Sequence, residues 1–170
     1  MAKQAPKRTM AFAADPGSEA VQAAIVQGAI EKTNQCICAK LRRLTRRVTQ
    51  IYDRFLEPSG LTITQFGTLG RVVANGGSIG VGALADLLGT DPTTLSRNLK
   101  PLVRAGYVAL ARDRTDARRQ LITVTGRGTS ALRDAVPCWS KAQAHVASLV
   151  GSADFGSLLK RVTASLARPG

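Results

Sequence analysis

Two sets of residues in this chain have types and spacings that could do chemistry. The first is cationic. Arg97, Lys100 and Arg104 follow Asp91-Pro92 at helical spacing, and Arg112, Arg114, Arg118 and Arg119 crowd the hydrophilic stretch after them. Guanidinium forks of this kind grip phosphate and the acceptor edge of guanine. Lys40, Arg42, Arg43, Arg46, Arg47 and Arg54 form a second basic run. The second set is sulfur: Cys36, Cys38 and Cys138. A thiol can be oxidised, can bind a thiophilic metal or metalloid, or can be an inert small apolar group. No phosphate loop or cluster of His with carboxylates is present, and His145 is the single His. The sequence therefore assigns no catalytic residue, no metal site and no cofactor, and it does not read as an enzyme.

The charge narrows the partner. The 170 residues carry 24 Lys+Arg against 11 Asp+Glu, a net charge of +13. Residues 40–54 hold +5 of it and residues 91–133 hold +6. Such an excess implies something anionic: nucleic acid, an acidic membrane or an acidic protein. A hydrophobic content of 44% excludes wholesale disorder. No apolar run approaches the roughly 18 residues of a membrane span. Three cysteines do not make a disulfide framework. Residues 1–20 begin basic, but the apolar stretch behind those charges is too short and broken for a signal peptide. They read as a flexible arm of a cytoplasmic protein.

The elements that must position these groups are set by periodicity. Ile37, Leu41, Leu44, Val48, Ile51 and Phe55 recur every three or four residues, which predicts one helix over 21–56, ended by Pro58 and Gly60. Thr62 or Thr64 caps a second helix reaching Ala74, with Phe66, Leu69, Val72 and Val73 inward, and Asn75-Gly76-Gly77 stops it. A short helix carries Val81, Leu84, Ala85 and Leu88. After Gly89, Asp91 at the N-cap and Pro92 at the first helical position start another, with Leu95, Leu99, Leu102 and Val103 on its apolar stripe and Gly106 at its end. Residues 107–111 and 121–124 read as a hairpin with a charged tip. A long helical region begins at Thr125-Gly126, where Leu132, Val136, Trp139, Val146 and Leu149 form a stripe that Pro137 should kink or interrupt. A last helix comes after Gly151-Ser152 and carries Phe155, Leu158, Leu159, Val162 and Leu166.

Two short helices joined through Gly89, with a basic hairpin behind them, make a winged helix-turn-helix, in a chain that is mainly α (α+β). The recognition helix offers Thr93, Thr94, Ser96, Arg97, Asn98 and Lys100 to double-stranded DNA, with Arg97 suited to guanine and the helix N-terminus to a phosphate. Arg114, Arg118 and Arg119 at the hairpin tip suit a narrow minor groove, and Asp113 and Asp116 would pair with neighbouring Arg to hold the tip in shape. A rival reading is a cationic membrane-surface or non-specific nucleic-acid-binding protein, to which the basic helix of residues 40–54 contributes. It leaves the wing and recognition helix without a use.

Leu61-Thr62 with Thr64-Gln65-Phe66, then ALADLLGTDPTTLSRNLKPLVRAGYV (83–108), DRTDARR (113–119) and Leu121-Ile122-Thr123-Val124-Thr125-Gly126 resemble the MarR family of bacterial transcription regulators. The family's D-x-R wing motif corresponds to Asp116 and Arg118. The resemblance implies a homodimeric regulator, such as a repressor, that reads a pseudo-palindromic operator and is released by an oxidant or a small molecule. It divides the chain into the arm (1–20), a dimerisation helix (21–60), the DNA-binding winged helix-turn-helix (61–125) and C-terminal dimerisation helices (126–170). Cys36 and Cys38, with Tyr52 beyond them, also resemble the organic-hydroperoxide-sensing OhrR-type branch, in which tyrosines hydrogen-bond a reactive Cys. Cys138 is placed like that branch's resolving Cys. Ile63 and Arg42 stand where the branch has tyrosines. The other effector is a small aromatic acid, its carboxylate held by Arg42, Arg46 or Arg71.

Overall fold

The structure is a computed structural model that describes residues 16–113 and 119–166. The chain divides into two units, residues 1–45 and 46–170. The first unit holds helix α1 (Pro16–Asn34) and the start of α2 (Ile37–Leu56). The sequence predicts one helix here, but two form, and the last five residues of the expected arm belong to α1. The remainder of that arm, residues 1–15, lies outside the described residues. The break falls at Gln35-Cys36. Gln35 N–H bonds to the Lys32 carbonyl at 3.1 Å, a tight last turn, and Lys40 N–H to the Cys36 carbonyl at 3.1 Å restarts the helix.

In the second unit a 3₁₀ turn (Glu57–Ser59) leads from α2 to α3 (Ile63–Ala74). Thr62 caps α3 in a reciprocal box with Gln65: Gln65 N–H donates to Thr62 Oγ1 at 3.3 Å, and Thr62 N–H to Gln65 Oε1 at 2.9 Å. From α2, Asp53 Oδ1 accepts the Ile63 N–H at 2.6 Å, which fixes where α3 begins. Then come β1 (Ser78–Gly80), α4 (Val81–Leu88), α5 (Pro92–Arg104), β2 (Val108–Arg112), β3 (Gln120–Val124), α6 (Gly126–Val150) and α7 (Ser152–Leu166). The hairpin is therefore two strands of a three-stranded antiparallel sheet of order β1-β3-β2. Ile79 pairs with Ile122, which pairs in turn with Leu110. The expectation lacked β1, because three residues with one apolar side chain carry no period.

The core joins Leu56, Leu69, Val72, Leu84, Ala85, Leu95, Leu99, Leu102, Val108, Ile122 and Ala135, all buried. A second cluster packs Tyr52, Ala142 and Val146 against Val48, Ile51 and Phe55, so the C-terminal half of α2 lies on α6. Phe66 stacks on Trp139 at 5.7 Å between ring centroids. Among the apolar stripe positions, Val73, Val103 and Val136 are exposed. Each lies at the edge of its stripe, beside a residue that fills the core. Pro137 does not interrupt α6, which runs as one helix from 126 to 150. Pro137 and Arg133, whose carbonyl loses its i+4 donor, are both on the solvent side, where water replaces the missing bond. Among the described residues no helix is long and apolar enough to cross a membrane.

Gly89 closes α4 at φ +60, a conformation that strains any residue with a Cβ. Gly89→Ala should lower stability by about 1–2 kcal/mol, and Leu99→Ala by about 2–5 kcal/mol. Urea unfolding checks both; a Gly89→Ala midpoint equal to wild type contradicts the turn.

Candidate nucleic-acid interface

The Gly89 turn delivers the chain to Asp91, the N-cap of α5, with Pro92 as the first helical residue. Asp91 Oδ1 accepts the Thr94 N–H at 2.9 Å and Oδ2 accepts the Thr94 hydroxyl at 2.6 Å. These bonds, the Thr94 hydroxyl first, hold the Asp91 carboxyl below its usual value. At the helix end that the sequence offers to a phosphate, the Asp91 carboxylate already takes the Thr94 N–H.

Leu95, Leu99 and Leu102 are buried on one side of α5. At 100° per residue this puts Thr93, Arg97, Lys100 and Arg104 on the opposite side, and all four are exposed. Ser96 is exposed and Asn98 half-buried at the margins of that stripe. The Ser96 hydroxyl donates to the Pro92 carbonyl at 2.7 Å. The hydroxyl protons of Thr94 and Ser96 are thus both committed locally, which leaves each oxygen to act as an acceptor. Pro101 lies inside α5, so the Arg97 carbonyl lacks its i+4 donor.

Beside α5 stands the hairpin of β2 and β3. An open recess of about 420 Å³ lies between them, lined by Leu99, Val103 and Leu110 with Ser96, Lys100, Arg104 and Gln120 around them. Arg112 and Arg119 are exposed just below the hairpin's tip. The Arg119 guanidinium folds back over Gly80 at the start of α4, 3.6 Å from where a Cβ would be. Asp113 N–H donates to the Arg119 carbonyl at 2.9 Å, closing the ladder below the tip. Arg114, Asp116 and Arg118 lie outside the described residues.

The other candidate groups lie at or on α2, α3 and α6. Cys36 and Cys38 are exposed, one just before α2 and one in its first turn, and Cys138 is half-buried on α6 against the core. Tyr52 is buried, and its hydroxyl donates to Gln143 Oε1 on α6 rather than standing free for a thiol. Burial raises the Tyr52 phenol above its usual value. Arg42, Arg46 and Arg71 are exposed. His145 is exposed with its ring tilted against Phe55, 5.4 Å between centroids. Among the described residues no group of three or more His, Cys, Asp or Glu could hold a metal ion.

A capped, cation-faced helix beside a basic hairpin defines a winged helix-turn-helix DNA-binding protein. The MarR family matches at residues 59–119. Among solved structures, the chain is similar to the transcriptional regulator MosR of M. tuberculosis, crystallised in complex with DNA. The two are 40% identical over 77% of this chain and 92% of that chain, with a TM-score of 0.67. A mutant MarR of E. coli complexed with operator DNA is 19% identical over 78% of this chain and 94% of that one, at a TM-score of 0.67. Overoxidised AbfR bound to DNA is 21% identical over 82% and 96%, at 0.64. None of the curated protein sequences compared matches. The chain belongs to the MarR family of winged-helix transcriptional regulators and is not an enzyme.

The Asp91 cap has a pH signature. Because its pKa is lowered on folding, its stabilisation is complete above the usual carboxylate pKa and disappears as pH falls through the lowered value. Carboxyl titration by NMR should show an Asp91 midpoint below the usual one, and Thr94→Val should move it back up. An unmoved midpoint contradicts the assigned cause.

Proposed function

We propose that this regulator is a homodimeric repressor that places α5 in the major groove of each half of a pseudo-palindromic operator. The observation that carries the reading is the exposed stripe of Thr93, Arg97, Lys100 and Arg104 opposite a buried leucine stripe, beside a basic hairpin. Arg97 supplies a donor fork for guanine O6 and N7. Thr94 and Ser96, with their protons committed, suit the exocyclic amino groups of adenine or cytosine. Lys100 and Arg104 border the recess, where the backbone strand between a major and a minor groove would lie. Arg114 and Arg118 carry the wing into that minor groove, with Arg119 and Asp113 shaping it just below the tip.

Exposed apolar side chains support the dimer. Ile37, Leu41 and Leu44 in the first unit, and Leu149, Leu158, Leu159 and Leu166 in the second, are too many to leave in water. Covering them with a second copy also supplies the second reading head. For the release signal, the exposure of Cys36 and Cys38 favours oxidation: a thiolate attacks a hydroperoxide, becomes a sulfenate and expels an alcohol. AbfR has been crystallised overoxidised on DNA. A small aromatic acid at Arg42, Arg46 or Arg71 is the competing signal; BpsR of Bordetella bronchiseptica is regulated by 6-hydroxynicotinic acid.

Gel retardation with the intergenic DNA upstream of the protein's own gene tests the reading. Wild type should retard it at moderate salt, and Arg97→Ala should lose about 1–3 kcal/mol of preference over unrelated DNA. Equal retardation of any duplex by wild type contradicts sequence-specific reading. Hydroperoxide should release wild type from the duplex but not a Cys36→Ser/Cys38→Ser double variant; release of that variant rejects these thiols as the sensor.

A further inference from the structure

One hydroxyl joins the reading head to α6. Thr125 Oγ1 donates to the Gly106 carbonyl at 2.7 Å, with the Tyr107 carbonyl 3.2 Å away, and accepts the Gly128 N–H at 3.0 Å. The Thr125 N–H also bonds to the Tyr107 carbonyl at 3.0 Å. Gly106 and Tyr107 are the turn that ends α5, held there by Tyr107 N–H on the Leu102 carbonyl at 2.9 Å. Gly128 is buried so close that a Cβ on it would lie 2.0 Å from the Tyr107 oxygen. The Arg127 guanidinium sits 5.7 Å from the centre of the Tyr107 ring. The end of the recognition helix, the entry to β2 and the first turn of α6 therefore meet backbone to backbone, and Thr125 is the side chain that ties them.

We propose that Thr125 is a positioning residue that sets the angle between α5 and α6, and so the spacing between half-sites that the protein accepts. The inference rests on the proposed homodimer. The lever is long: α6 has 25 residues. A tilt of about 5° at its start moves the far end of such a helix, about 37 Å long, by about 3 Å, close to the rise of about 3.4 Å for one base-pair step. A looser tie would let the two heads settle on more than one spacing.

Thr125→Asp separates this role from simple capping. An aspartate still accepts the Gly128 N–H and starts α6, but it has no proton for the Gly106 carbonyl. Wild type, Thr125→Ser and Thr125→Asp are each used to select bound duplexes from a randomised pool, and thermal melts are recorded in parallel. Wild type and Thr125→Ser should select paired half-sites at one spacing. Thr125→Asp should melt near wild type and select the same half-site bases at two or more spacings, with affinity for the wild-type spacing reduced at least fivefold. One unchanged spacing bound within twofold of wild type overturns the proposal. If Thr125→Asp does not fold, Thr125→Val takes its place; failure of both to fold assigns Thr125 to folding alone and also overturns it. A wild type that selects no sequence refutes the operator reading instead.

Discussion

Burial of Leu95, Leu99 and Leu102 along one side of α5 is the interaction on which the rest depends. Each buried leucine contributes about 1.5–3 kcal/mol. The like charges on the other side, Arg97, Lys100 and Arg104 at i+3 and i+4 steps, repel by only a few tenths of a kcal/mol per pair. Packing therefore decides the rotation of the helix, and the cations have no choice but to face outward. The same leucines seat α5 on α4 through Ala85, and on the sheet through Val108 and Ile122. The wing thus stands where the core puts it.

The ends of α5 are held by local chemistry of two kinds. At the start, Gly89 and Asp91 turn the chain and engage the free N–H groups, leaving carboxylate rather than bare amides at that tip. At the finish, Gly106 passes the chain to Tyr107, whose carbonyl and ring meet the first turn of α6. The reading surface is thus held at both ends, by the Asp91 carboxylate at one and by backbone contacts with the Thr125 hydroxyl at the other.

Much of this is legible in the sequence because it is local. Gly89, Asp91-Pro92 and the Leu95-Leu99-Leu102 spacing each specify their structure within a few residues, and all three form as their residue types require. The less legible features depend on partners far along the chain. The β1 strand exists only because Ile79 meets Ile122. Thr125 reads as the start of a helix, yet its hydroxyl bonds 18 and 19 residues back. Tyr52, by sequence a partner for a thiol, is engaged by Gln143 from 91 residues away. Periodicity also marks a stripe without its edges, which is why Val73, Val103 and Val136 lie outside although their spacing points inward. The split between α1 and α2 turns on residues too ordinary to announce a break.

The central claim is that two copies of α5 read two copies of one half-site. Hydroxyl-radical footprinting on a retarded duplex, combined with methylation interference at guanine N7, tests it most directly. The expected result is two protected stretches related by two-fold symmetry, their centres separated by about 10 base pairs or a multiple of that. Each should contain a guanine whose methylation blocks binding. A single protected stretch, or protection spread evenly along the duplex with no guanine that matters, would contradict it.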